Sequence, residues 1–165
     1  MLRTLITGAL AGTAGTITMT VALRRVFPAL LPESMQWKEF LPKTVVEGVE
    51  AQTVGPGALT EDEEMGVTLP AHFAYGATMG MIYGVVRARL TRGSPVLLGA
   101  LYGLAVWAVS YEGWLPAAGI LEATTRLPPR KWPVPILAHL VYGATTGLAY
   151  AAASRRINRG SEPRR

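Results

Sequence analysis

Four runs of about twenty residues with almost no charge divide this chain, a length that spans the ~30 Å hydrocarbon core of a bilayer as a helix. The first covers residues 4–23 and is closed by Arg24 and Arg25. The second covers 69–86 and meets Arg87, and the third runs from Pro95 to Tyr111 and meets Glu112. The fourth covers 134–153 and is closed by Arg155 and Arg156. A soluble four-helix bundle needs a polar face on every helix, and these runs carry polar charge on none. The spacing therefore predicts an all-α fold, a four-helix transmembrane bundle with helices at about 4–24, 69–87, 95–115 and 134–154. The 165 residues then form one integral membrane domain with a long outer loop at 25–68. Only 16% of the residues are charged, against about a quarter in ordinary soluble domains.

Composition removes several kinds of chemistry. There is no cysteine, so disulfides, thiolate metal sites, iron–sulfur clusters and cysteine nucleophiles are excluded. Two histidines, His72 and His139, leave little for acid–base work. No phosphate-binding loop, no nucleophile elbow, no HExxH pair and no paired catalytic carboxylates occur. Gly8-Ala-Leu-Ala-Gly12-Thr-Ala-Gly15 resembles a dinucleotide loop only superficially, since it lies inside an apolar span with no preceding strand. Threonines at 7, 13, 16, 18 and 20 interrupt the first run, so it reads as a retained helix rather than as a cleaved leader.

Arginine placement sets the expected orientation. Arg87, Arg89 and Arg92 crowd the connection between the second and third runs, and Arg155, Arg156, Arg159, Arg164 and Arg165 follow the fourth. The positive-inside rule puts that connection and both termini in the cytoplasm. Arg24 and Arg25, with Arg126, Arg130 and Lys131, stand on the other side of the balance. The basic tail is read as a topology signal that also meets anionic lipid, not as a nucleic-acid site. The outer loop carries Glu33, Glu39, Glu47, Glu50 and Glu61-Asp62-Glu63-Glu64. Within it, 33–53 mixes charges with apolar residues, which suggests a short interfacial helix broken near Pro42. Val54-Gly-Pro-Gly57 is a turn. Thr60 with Glu63 fits a capping box, so a helix starts there and heads toward Pro70. Trp37, Trp114 and Trp132 fall near the outer interface, where indoles favour the headgroup level.

The most informative pattern is self-similarity. Residues 71–84 and 138–151 agree at eight of fourteen positions, His, Tyr, Gly, Ala and Thr among them. Gly8-Ala-Leu-Ala-Gly12 is echoed more weakly by Gly99-Ala-Leu-Tyr-Gly103. Two tandem helical hairpins follow, pointing the same way about a pseudo-two-fold along the membrane normal. Small residues recur four apart in every run: Gly8/Gly12, Gly76/Gly80/Gly84, Gly99/Gly103 and Gly143/Gly147. Such spacing lets backbones approach where lipid offers no hydrophobic drive for association. It therefore reads as packing seams, with space cleared for a flat ligand as the sharper alternative.

His72 and His139 head two of these glycine stripes, after Pro70 and Pro135. Placed in the first turns of parallel helices, both are expected neutral near a positive helix end. Their ordinary role is an interhelical hydrogen bond. The alternatives are axial ligation of haem b, or a divalent metal held with Glu112. Glu112 is the acid at the edge of a span, and Arg24 ends the first helix at the same level. A pair between them relieves both charges, and a proton path through Glu112 is the transporter reading.

Gly8-Ala-Leu-Ala-Gly12, Ala71-His72 with Tyr75-Gly76, and Gly143 with Gly147 together resemble the YagU-like group of small bacterial inner-membrane proteins. The resemblance covers most of the chain and implies a four-helix inner-membrane protein with no catalytic residue to transfer. The expected role is non-enzymatic: a structural or accessory membrane protein, a homo-oligomer or a subunit of a larger complex, without a cofactor and with the outer loop as its partner surface.

Overall fold

A computed structural model gives helices and turns, with no strand among the described residues. It describes residues 1–37, 40–90 and 92–160, the side chains of 158–160 excepted. Glu39, Arg164, Arg165 and the side chain of Arg159 therefore lie outside the described residues. We label the helices α1 (Leu2–Leu30), α2 (Leu41–Thr53), α3 (Glu61–Arg89), α4 (Pro95–Ala117) and α5 (Pro133–Gly160).

Three helical stretches are long and apolar enough to cross a membrane: Leu2–Leu30, Pro95–Ala117 and Pro129–Ile157. The run at 69–86 is not among them. His72, Tyr75, Tyr83 and three glycines dilute it, although it forms the inner part of the 29-residue helix α3.

Glycine backbones set how the long helices meet. A Cβ on Gly12 would stand 2.8 Å from the Cα of Gly80, and one on Gly84 would stand 2.8 Å from the carbonyl oxygen of Thr4. Gly8 lies between them, against the carbonyl of Gly80. Rising numbers on α1 thus meet falling numbers on α3, and the two run antiparallel. Gly143 and Gly147 of α5 meet Gly99, Gly103 and Pro95 of α4 in the same antiparallel sense. Helix α1 also packs on α5, where a Cβ on Gly15 would be 2.7 Å from the Tyr142 carbonyl oxygen. The Thr18 and Thr145 hydroxyls bond across that seam at 3.1 Å. The four long helices therefore alternate in direction.

The expected echo between Gly8–Gly12 and Gly99–Gly103 is one helical turn out of spatial register. Gly12 faces the Gly76 carbonyl as Gly99 faces the Gly143 carbonyl. The same offset carries Ala22–Val26 into Ala108–Trp114, and both segments are π-helical. Each ends two residues before a proline, Pro28 or Pro116. Proline has no N–H for the preceding turn and clashes with its carbonyl, and a wider turn upstream absorbs both defects.

The region read as an outer loop at 25–68 is mostly helical. Helix α1 continues to Leu30, and a 3₁₀ turn covers Glu33–Met35. Helix α2 is not broken at Pro42; it begins there, with Pro42 in its first turn, where a missing donor costs nothing. Gly55 and Gly57 take positive φ, 105° and 74°, in the turn that follows. The Thr60–Glu63 capping box is present. The helix it starts does not stop near Pro70 but runs through it to Arg89, so the second apolar run joins its helix eight residues late.

Candidate functional site

Beneath α2, a cavity of about 250 Å³ opens between the four long helices. Its wall is mostly apolar and aromatic. Thr16 and Met19 come from α1, and His72, Tyr75 and Met79 from α3. Val106, Ser110, Tyr111 and Trp114 come from α4, and His139 and Tyr142 from α5. Leu41, Pro42 and Val45 of α2 close it from outside. The α4 contribution comes largely from the π-helical stretch Ala108–Trp114. Ser110, Tyr111 and Trp114 all lie on it, at positions i, i+1 and i+4 that share one side of a helix.

Most polar groups on this wall already have partners. The Tyr142 hydroxyl donates to the Gly76 carbonyl at 2.7 Å, tying α5 to α3. Tyr75 Oη and Ser110 Oγ bond at 2.8 Å, tying α3 to α4. The two tyrosines occupy matched positions in the sequence repeat yet take different partners, so the site is asymmetric. His139 is 6% exposed, and its Nδ1 lies 2.8 Å from the Pro135 carbonyl. A carbonyl only accepts, so Nδ1 carries the proton and Nε2 is left as an acceptor. Tyr111 packs edge-on to that imidazole at 5.4 Å.

His72 is placed differently from the expectation. It lies eleven residues into α3, which starts at Glu61, so no helix end acts on it. Its ring meets Phe40 and Phe73 edge-on, each at 6.1 Å. Its Nε2 is buried without a hydrogen-bond partner among the described residues, as is Thr68 Oγ1 one turn earlier. Both histidines line the one cavity. Glu112 does not join them, and among the described residues no three His, Asp or Glu side chains gather into a metal-binding group. Glu112 instead accepts from the Thr125 N–H at 3.1 Å and the Thr125 hydroxyl at 2.6 Å. Arg24, expected beside Glu112, lies over the Phe40 ring at 5.6 Å, a cation–π contact.

Charge collects outside the cavity, on α2. Lys43 bonds Glu64 of α3 at 2.9 Å and Glu47 at 3.1 Å. Glu64 first, then Glu47, accept from the ammonium and hold its pKa above the ordinary lysine value. Glu50 is buried and accepts from the Leu59 N–H at 2.9 Å, which fixes the turn into α3. The Thr60 N–H and then the Thr60 hydroxyl hold the Glu63 carboxyl below its usual range.

Comparison with protein-family models, curated proteins and solved structures finds no match for this chain. The site must be read from its own chemistry. Sequence reasoning found the two histidines but missed Ser110, Tyr111, Val106 and the α2 cover. Ser110 alone had a signal: it is the hydroxyl in the otherwise apolar stretch before Tyr111.

Proposed function

We propose that the chain is a four-span protein of the bacterial inner membrane with a non-enzymatic, structural or complex-forming role, built from two tandem hairpins, α1–α3 and α4–α5. The observation that carries this reading is an inverted pattern of burial. Thr16, Ser110 and Thr146 are at most 2% exposed, while Leu10, Leu97 and Leu101 are 66%, 60% and 55% exposed. In water that arrangement wastes the hydrophobic effect. In lipid it is the economical one, because leucine matches the acyl chains and small residues let helices touch. The threonine hydroxyls return to their own backbone, Thr16 to Gly12 at 2.9 Å and Thr146 to Tyr142 at 2.8 Å, which satisfies them without water.

Helix α3 is read as a span despite its polarity, because its Gly76–Gly84 stretch lies along α1 from Gly12 back to Thr4. Where α1 crosses, α3 crosses beside it. Both termini are assigned to the cytoplasm on the arginines after α3 and α5. Two of the five opposing cations are engaged locally: Arg24 on Phe40, and Lys131 Nζ on the Gln36 carbonyl. The exposed leucine faces are where lipid, a second copy or a partner subunit would pack, and the YagU-like assignment rests on the sequence motifs alone.

The haem or metal reading has one observation in its favour, the shared cavity of His72 and His139. Size speaks against haem b. A 150 Å³ cavity holds one benzene ring, and a tetrapyrrole carries four rings against about 250 Å³ here. For transport, Glu112 is engaged by Thr125 and is absent from the cavity wall.

Single cysteines test the topology cleanly because the chain has none. Gln52→Cys on α2 should react with an impermeant maleimide in intact cells. Leu90→Cys after α3 should react only after permeabilisation. Equal labelling of both positions removes α3 as a span, and the reverse pattern inverts the orientation.

A further inference from the structure

We infer that the cavity beneath α2 is a binding site for one neutral aromatic ring bearing a hydroxyl, a phenol-class molecule. This goes beyond the structural role proposed above and does not depend on it.

Size comes first. A dry 150 Å³ cavity takes benzene, and drug-sized ligands use about 300–1,000 Å³. About 250 Å³ therefore suits a single substituted ring. The wall selects shape: Tyr75, Tyr111, Trp114 and Tyr142 surround the space, and aromatic rings gain from edge and offset contacts with one another beyond simple area burial. Charge is disfavoured, since among the described residues no lysine, arginine or carboxylate lines the cavity to pair with an ion.

The polar handle is His139. Its Nδ1 proton is committed to Pro135, so the remaining ring nitrogen can only accept, and it has no protein donor among the described residues. A ligand O–H supplies that donor. The other polar groups of the wall are largely satisfied already: Tyr142 by Gly76, and Tyr75 by Ser110. His72 on the same wall also has an unpartnered Nε2, but only His139 has its tautomer fixed so that the free nitrogen is an acceptor, and a ligand O–H meets it in an apolar aromatic box. A phenol fits that description, whereas an unsubstituted ring leaves the acceptor unpaired.

Full-length protein in nanodiscs, titrated with 4-fluorophenol and with fluorobenzene and followed by fluorine NMR, tests this. The expected result is one saturable site per chain that prefers the phenol about 5- to 10-fold, the value of one hydrogen bond. His139→Phe keeps an aromatic side chain without the acceptor and should bring that preference to about 1. Val106→Phe, on the buried α4 wall, should abolish saturable binding of both probes while helical circular dichroism is unchanged. Linear partitioning with no saturation, an unchanged preference in His139→Phe, or undiminished binding in a folded Val106→Phe would each overturn the proposal. If His139→Phe fails to fold, the wild-type preference and the Val106→Phe arm still decide.

Discussion

Helix α3 contains its own control experiment. Gly66 and Gly80 are both helical, and alanine is the better helix former in water by about 1 kcal/mol. A Cβ on Gly66 meets nothing within 4 Å, whereas a Cβ on Gly80 lies 2.6 Å from the Cα of Gly12. Ordinary carbon contacts begin near 3.5 Å, so Gly80→Ala forces the two backbones apart by about 1 Å. No rotamer can relieve this, because the obstructing atoms are backbone. A gap of that size forfeits a quarter to a half of each dispersion contact across the seam, and overpacking of this kind costs about 1–3 kcal/mol. Gly66→Ala should instead be neutral or stabilising by up to about 1 kcal/mol. The two variants should thus differ by about 1–3 kcal/mol, roughly 5- to 150-fold in the folding equilibrium. Reversible unfolding from mixed micelles by added SDS measures the difference. Equal midpoints for the two alanine variants would refute the seam argument, because chemistry, helix and segment are shared and only the neighbour differs.

What was legible in the sequence follows from what each signal depends on. Span length and glycine spacing depend only on the chain's own helix and its need for close neighbours. They located the apolar cores of α1, α3, α4 and α5 and their interacting faces. The capping box depends on two residues three apart, and Thr60–Glu63 placed the start of α3 correctly. The far ends were less legible. Charged residues carry no span signal, so Glu61 to Thr68 reads as a helix within the long loop, separate from the span at 69–87, although one helix covers both. The proline-adjacent π-helical stretches were not anticipated either. They shift α4 by part of a turn, and with it the register of every residue beyond Trp107.

The candidate site shows the same division. The repeat brought His72 and His139 to one cavity, but equivalence in sequence did not become equivalence in chemistry. One turn before His139 stands Pro135, whose carbonyl fixes the imidazole tautomer; one turn before His72 stands Thr68, itself unpartnered. The Arg24–Glu112 pair fails for a related reason. Reasoning from level alone ignored nearer partners on local turns, Phe40 for the arginine and Thr125 for the carboxylate.

Two further expectations concern the outer segment. Thr60→Ala removes the hydroxyl half of the capping box while the backbone N–H of residue 60 still donates to Glu63, and it should cost about 1 kcal/mol in the same SDS titration. Glu63, held below its usual pKa by Thr60, contributes stability that is present above the ordinary carboxyl value and is lost as pH falls through its lowered one. Wild type should therefore weaken relative to Glu63→Gln, which cannot titrate, only on acidification, and a constant difference down to strongly acid pH would refute the assignment. Lys43 gives the opposite sign. Its pKa is raised by Glu64 and Glu47, so its contribution is complete below the ordinary lysine value of 10.5 and fades only above it. At neutral pH the tie between α2 and α3 is fully formed. Because Leu41, Pro42 and Val45 of α2 cover the cavity, that tie governs opening rather than the fit of a ring inside. The Lys43 and Glu64 side chains are only 16% and 10% exposed, so the pair contributes at least the ~1 kcal/mol at the top of the range for exposed pairs, and Lys43→Met should raise amide exchange across 41–53 by about 5-fold or more. Fluorophenol should then enter and leave faster by the same factor, with its equilibrium affinity unchanged. A loss of affinity with unchanged exchange rates would show that Lys43 shapes the cavity instead of holding its cover.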